Sequence, residues 1–424
     1  MKTKAVRLYG KMDLRLEEYE LPEIRDDEIL AHVVSDSICM SSYKAAKQGT
    51  DHKRVPADIA ANPTIIGHEF CGEMVKIGKK WKNKFNEGRK FSIQPALNFE
   101  KGPVGILSAP GYSYQNLGGS ATYVIMPNEV MELNCLLEYS GEGYFPASLS
   151  EPMSCIVGAF HASYHTTAGS YSHDMGIVEG GKMALLAGVG PMGLGAIDYA
   201  IHCSRKPGLL IVTDIDDARL KRAEMLFPPA LAGKNGVTLK YVNTKTAADP
   251  VKDLMELSGG TGFDDVMVFA PVRPVIEQGD RILGRDGCLN FFAGPTDQQF
   301  KAEFNFYNVH YAATHLVGTS GGNTDDMRES LDMMSRAMVN PAVMITHIGG
   351  IDSAIPTTLH LPEIPGGKKL IYTNINMPLT AIDSFAEKGI TNSVFRKLAE
   401  ITKMHNGLWS VEAEEYLLAH ADKI

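Results

Sequence analysis

The stretch Lys182–Asp214, KMALLAGVGPMGLGAIDYAIHCSRKPGLLIVTD, decides the fold. An apolar strand, Met183 to Ala187, runs into Gly188-Val189-Gly190-Pro191-Met192-Gly193, and a helix opens from Leu194 to Ile201. A second apolar strand then ends at Asp214. A G-x-G-x-x-G turn between strand and helix, with an acidic residue about 20 positions on, is the dinucleotide-binding arrangement. Gly188 permits the tight turn, Gly190 lets backbone approach a pyrophosphate, and Gly193 lets the helix pack on the strand. The unpaired N–H groups of the helix N-terminus then face the phosphates. Asp214 is placed to accept hydrogen bonds from the adenosine ribose and to repel a 2′-phosphate. NAD(H) is therefore favoured, with Arg219 keeping NADP(H) open.

Outward from this motif, GLLIVTDID, DDVMVFAP and GCLNFFAG continue a strand series separated by helical stretches such as DARLKRAEMLF. That alternation predicts a doubly wound parallel sheet over 156–320. Residues 1–155 read differently, as short β-branched strands broken by turn residues, which suggests a compact antiparallel barrel or sandwich. Within them, 95–117 is rich in Gly and Pro without a clear period and reads as a surface lobe. After residue 320 come a capped amphipathic helix starting near Thr324, short strands, and two final helices. Both ends of the chain thus belong to one domain, 1–155 with 321–424, and the sheet domain is inserted. A chain of 424 residues is too long for one ordinary core.

The net charge of −9 argues against a nucleic-acid or membrane-surface binder, which would need a basic face. Any anionic ligand needs a local cluster of donors instead. No stretch reaches the ~18–20 apolar residues of a membrane span, and the start lacks a signal-peptide core. The 6 cysteines are scattered with no CxxC pair, which fits a reducing cytoplasm rather than a disulfide framework. These readings point to a cytoplasmic protein acting on a small molecule.

Candidate chemistry outside the sheet domain comes from three places. SDSICMSSYK supplies Cys39 and Ser41, GHE supplies His68 and Glu69, and LSEPMSC supplies Glu151. A thiolate, an imidazole and carboxylates make a catalytic Zn²⁺ site in which three protein ligands leave one position open. Each residue also has a plainer reading, as buried thiol or loop carboxylate, and Cys71 and Cys155 are assigned that one.

In order, Cys39 with Ser41, Gly67-His68-Glu69, Gly118-Gly119-Ser120-Ala121-x-Tyr123, Glu151-Pro152 and the Gly188 fingerprint resemble the zinc-dependent medium-chain dehydrogenases. The match spans nearly the whole chain. Glu151-Pro152 is similar to the polyol, sorbitol dehydrogenase-like branch, and the C-terminal extension with the 95–117 segment resembles bacterial L-sorbose-1-phosphate reductases. The resemblance implies a GroES-like β-barrel catalytic domain beside a Rossmann domain, and commonly a homodimer or homotetramer. It implies Cys39 and His68 on a catalytic zinc, with Glu69 and Glu151 competing for the remaining position and the one left over holding the metal-bound water. The family's four-cysteine structural zinc lobe would fall in 92–117, which has no cysteine, so a single zinc is expected.

The expected reaction is reversible hydride transfer between a nicotinamide and a secondary alcohol of a sugar, polyol or sugar phosphate. Ser41 would pass the proton, with Lys44 or water replacing the histidine that many relatives place next. For a phosphate, Lys44, Lys47, His52, Lys53 and Arg54 offer a cluster, with Lys44 and Lys47 on one helical face. The leading reading is L-sorbose 1-phosphate to D-glucitol 6-phosphate. The rivals are an unphosphorylated polyol or threonine dehydrogenase and a catalytically silent cofactor binder.

Overall fold

A computed structural model describes residues 1–424 apart from Ala168 and Thr296. The chain packs into two compact units: Met1–Glu151 with Asn323–Ala337 and Ile345–Ile424, and Pro152–Gly322 with Met338–Met344. Among the described residues no helix is long and apolar enough to cross a membrane.

The second unit holds a six-stranded, wholly parallel sheet. Its strand order is Thr238–Asn243, Leu209–Asp214, Lys182–Leu186, Phe263–Val268, Leu283–Phe291, His315–Val317. In chain order this is 3-2-1-4-5-6, the doubly wound order whose first strand feeds the phosphate-binding turn. Ala184, Leu186, Ile211, Val266 and Leu289 fill the space between sheet and helices, which explains the near-continuous apolar runs of these strands.

In the first unit, the strand Ile29–Ile38 lies at the centre of an eight-stranded sheet. It pairs with Phe70–Ile77 along one edge. Along the other, Ile29–His32 pair with Tyr123–Met126, and Ser35–Ile38 with Lys369–Tyr372. Splitting one edge between two partners bends the sheet toward closure, and the strand is buried on both faces. Two apolar clusters result, one around Ala31, Val33, Phe70 and Phe91, the other around Val6, Leu8, Ile38 and Ile371.

Two expectations for this unit need correction. The sheet is not wholly antiparallel, because Ile345–Gly350 runs parallel to Lys368–Tyr372. The helix Ala354–Leu359 lies between them, the crossover that parallel neighbours require. The 95–117 segment is not simply a surface lobe either. Ala109, Tyr112, Tyr114 and Leu117 are buried in the two clusters, and Ile65 N–H donates to the Tyr114 carbonyl at 3.1 Å. Glycine and proline set the path of this segment, while its few large apolar residues anchor it.

The C-terminal helices Ser393–Met404 and Val411–His420 are tied to the sheet by buried polar bonds. Trp409 Nε1–H donates to the Tyr372 hydroxyl at 2.7 Å, and that hydroxyl donates to Glu414 Oε1 at 2.8 Å. Glu414 also accepts from the backbone N–H of Tyr144 at 2.6 Å and of Phe145 at 2.9 Å. These N–H groups start the short helix that leads toward Glu151. Glu414→Ala leaves three buried donors unpaired, at about 1–3 kcal/mol each before relaxation. Calorimetry is expected to show the thermal midpoint falling by roughly 5–10 °C. The exposed Glu415→Ala is expected to leave it nearly unchanged.

Candidate active site

The three strand ends of the first unit decide where the chemistry sits. Asp36 is in register with Phe70, and Ile38 with Lys369. The residues just beyond these pairs are Glu69, Cys39 and Lys368, so one end of the central strand gathers all three. Cys39 is also the N-cap of the helix Met40–Gln48. His68 arrives from the turn before Phe70. That turn needs glycine, because Gly67 has φ +94° and a Cβ there would lie 2.2 Å from Asp36 Oδ2. Asp36 is itself buried, holding the Ser120 hydroxyl at 2.6 Å, and burial pushes its carboxyl up to about 7.

Ligand atoms of Cys39, His68 and Glu69 lie within 4.8 Å of one another. Ser41 Oγ–H donates to Cys39 Sγ at 3.0 Å and lies 3.2 Å from His68 Nε2. Ser42 Oγ is 3.4 Å from His68 Nδ1, which steadies the ring and leaves Nε2 toward Ser41 and the thiol. Tyr112 packs over the same ring, with centroids 4.9 Å apart and its hydroxyl 3.4 Å from Nε2. Glu151 sits in the first turn of Ser150–Ala162. Burial, then the charge of Glu69, pushes its carboxyl up to about 7.

Lys368 donates to Glu69 Oε1 at 2.5 Å, and both side chains are nearly removed from solvent. Burial alone would raise the Glu69 pKa, but the Lys368 charge, with His68 helping, holds it below the usual value. Burial disfavours the Lys368 charge, and Glu69 and Cys39 more than offset this. Glu69 Oε2 is buried and has no hydrogen-bond partner. A buried carboxylate oxygen left open beside a thiol and an imidazole suits a metal cation, and the S, N, O donor set suits Zn²⁺. The residues present therefore fit that ion.

Of the other residues singled out from sequence, Cys71 is a fully buried thiol. Lys44 is half-buried on the helix after Cys39, whereas Lys47 is exposed, with its ammonium 5.7 Å from the Tyr43 ring centroid. Sequence reasoning missed Lys368 and Tyr112. Lys368 opens a KKLIY run that resembles a solvated strand end, and Tyr112 lies in the Gly/Pro-rich segment.

In the second unit the fingerprint has the geometry its residues require. Gly190 is the N-cap and Pro191 the first residue of the helix Pro191–His202, which also carries Met192. A Cβ on Gly193 would lie 2.2 Å from the Gly188 carbonyl oxygen, so only glycine lets the helix sit on the turn. Asp214 is buried at its strand end, where Oδ1 accepts from the N–H groups of Ile215 at 2.8 Å and Asp216 at 3.1 Å. Arg219 Nη2 lies 3.3 Å from where a Gly190 Cβ would stand, beside the turn.

Residues 25–134 match the alcohol dehydrogenase GroES-like domain, and 191–336 match the zinc-binding dehydrogenase domain. The chain is 52% identical over 420 residues to a mannitol-1-phosphate 5-dehydrogenase of Aliivibrio fischeri, covering 99% of this chain and 98% of that one. It is 50% identical over 422 residues to an L-sorbose 1-phosphate reductase of Klebsiella pneumoniae, covering 100% and 98%. The chain belongs to the zinc-binding medium-chain dehydrogenase family. It is an oxidoreductase with a GroES-like and a Rossmann domain. The fold matches that of 2R,3R-butanediol dehydrogenase from Bacillus subtilis with a TM-score of 0.67, at 20% identity over 88% of this chain and 100% of that one.

The Lys368–Glu69 pair gives a direct test of the site's electrostatics. Lys368→Met strands a buried carboxylate and is expected to cost about 3–5 kcal/mol in metal-free protein, read by thermal unfolding. Adding Glu69→Gln should recover most of that loss. Equal stability of the single variant and the wild type would show that the pair carries no charge balance.

Proposed function

We propose that the chain transfers a hydride reversibly between a nicotinamide and a secondary alcohol of a six-carbon sugar phosphate. The best single assignment is L-sorbose 1-phosphate to D-glucitol 6-phosphate. The observation that carries the chemistry is the gathering of Cys39, His68 and Glu69 ligand atoms within 4.8 Å in a buried site, with the Ser41 hydroxyl between thiol and imidazole. The substrate class is supported by two relatives at 52% and 50% identity, named for mannitol 1-phosphate and L-sorbose 1-phosphate.

In this reading Cys39, His68 and Glu69 hold one Zn²⁺, which when bound supplies Lewis acidity toward the reacting hydroxyl or carbonyl oxygen. Lys368 keeps Glu69 ionised and fixes its orientation. Ser41 would accept the hydroxyl proton of the substrate while releasing its own O–H proton toward water, with the Tyr112 hydroxyl beside it. Glu151 is the second carboxyl beside the cluster, and Glu69 rather than Glu151 is taken as the third ligand because its carboxylate is the one grouped with Cys39 and His68. In this reading water takes the next step after Ser41, and Lys44, half-buried on the same helix, is left for substrate binding.

NAD(H) is the favoured cofactor. Gly188, Gly190 and Gly193 cradle its pyrophosphate, and Asp214, fixed by its own loop, presents a carboxylate where a 2′-phosphate would sit. Arg219 lies beside the turn, a position suited to pyrophosphate. The edge strand His315–Val317 and the exposed Phe306, Tyr307, Tyr311 and Leu316 support a homodimer or homotetramer built on this edge.

Activity on a panel of L-sorbose 1-phosphate, mannitol 1-phosphate, glucitol 6-phosphate, sorbitol and threonine tests the proposal. A phosphorylated substrate is expected to lead in kcat/KM by about 100-fold or more, equivalent to roughly 3 kcal/mol. NAD(H) should be preferred over NADP(H). Chelation should remove activity and Zn²⁺ restore it. Full activity in metal-free protein would contradict the mechanism, and equal rates on sorbitol would contradict the substrate class.

A further inference from the structure

A phosphate dianion bound by a chain of net charge −9 needs cations concentrated in one place. The wall next to His68 has them. Tyr112 is almost fully buried with its ring 4.9 Å from that of His68. The His52 ring stacks on Tyr112 at 5.7 Å with an interplanar angle of 5°. The Arg54 guanidinium carbon lies 5.8 Å from the Tyr112 centroid. One aromatic ring thus joins the metal-ligand cluster to a pair of basic side chains.

These groups are held in place rather than loosely displayed. The Arg54 carbonyl accepts from Ser113 Oγ at 2.6 Å, anchoring its loop to the buried 108–114 segment. Arg54 N–H donates to His52 Nδ1 at 3.3 Å. With Nδ1 accepting, neutral His52 carries its proton on Nε2, where it is a donor. Burial, followed by the charges of Arg54, Lys53 and Lys44, pushes His52 down to about 4. Lys44 lies on the helix that begins after Cys39, and its charge is one of those that act on His52.

The cluster lacks counterions. Among the described residues Lys44, Lys53 and Arg54 form no ion pair. Asp51, the nearest carboxylate in sequence, pairs instead with Lys11 at 2.6 Å. Half-buried charges of one sign gathered without partners are unfavourable in the free protein, and an anion relieves the repulsion.

We propose that Arg54, Lys44 and His52 form the phosphate subsite of the substrate pocket, with Tyr112 setting its distance from the metal ligands. This rests on the sugar-phosphate reading above and names the residues that would give that class its preference. Arg54 offers a planar fork to two phosphate oxygens, Lys44 a point charge, and His52 an Nε2–H. Lys47 takes no part.

The test pairs kinetics with a binding readout that does not depend on turnover. In Arg54→Ala/Lys44→Ala, the ratio of kcat/KM for L-sorbose 1-phosphate to that for L-sorbose is expected to fall about 100-fold. In Lys47→Ala it should stay as in wild type. Inorganic phosphate, added with NADH saturating so that the cofactor site is filled, should raise the thermal midpoint of wild type and Lys47→Ala but not of the double variant. Arg54→Gln, which keeps an N–H donor in place of the Arg54 Nη1–H that now donates to the Leu107 carbonyl at 3.4 Å, replaces the alanine variant if that chain does not fold. An unchanged ratio, or an intact phosphate shift in the double variant, overturns the subsite. A phosphate shift that needs Arg54 and Lys44, in an enzyme with no preference for phosphorylated substrates, keeps the anion site and overturns the sugar-phosphate reading.

Discussion

Much of the first unit is arranged around one buried ion pair. Cys39, Glu69 and Glu151 crowd a region that water does not reach freely, and Lys368 is the cation that faces them. Burying an unpaired carboxylate is costly enough that the group normally takes up a proton instead. Lys368 prevents that at Glu69 by occupying one oxygen and leaving the other open. The result is a buried site of a thiol, an imidazole and a carboxylate in which the Glu69 charge is balanced by Lys368. Strand register explains how residues 299 positions apart meet there. Lys368 and Glu69 stand at the ends of the two strands flanking the strand that ends before Cys39.

Next to this acid-rich cluster the chain builds its opposite. Arg54 and neutral His52 pack against Tyr112, one aromatic ring from His68, and the Lys44 charge acts on His52 as well. Tyr112 separates the two regions and touches both, and its own buried hydroxyl has a pKa well above the usual phenol range because burial disfavours the phenolate. A neutral ring between unlike clusters keeps the basic groups from closing onto the carboxylates.

The parts of this arrangement that the sequence shows are those with local causes. The Gly188–Gly193 turn is legible because each glycine answers a steric demand within a few residues, as the Gly193 contact with Gly188 illustrates. Cys39 and His68 are legible because strand-ending residues of metal-binding type recur beside a cofactor fold. Lys368 is not, because its partner is remote and its own neighbourhood looks like a solvated strand end. Tyr112 is hidden by composition, since Gly and Pro around it suggest surface while four apolar side chains bury the segment. The parallel pairing of Ile345–Gly350 with Lys368–Tyr372 depends on a crossover that short strands do not announce. Which of Glu69 and Glu151 faces the thiol is a matter of tertiary register, which spacing alone cannot express.

Zinc-edge X-ray absorption on the protein as purified tests the central claim most directly. One zinc per chain with a single sulfur and otherwise nitrogen and oxygen neighbours is expected, the sulfur vanishing in Cys39→Ser and the light-atom shell changing in Glu69→Gln. A zinc with two or more sulfur ligands, or a shell unaltered by Glu69→Gln, would contradict the assignment of the open Glu69 oxygen to the metal.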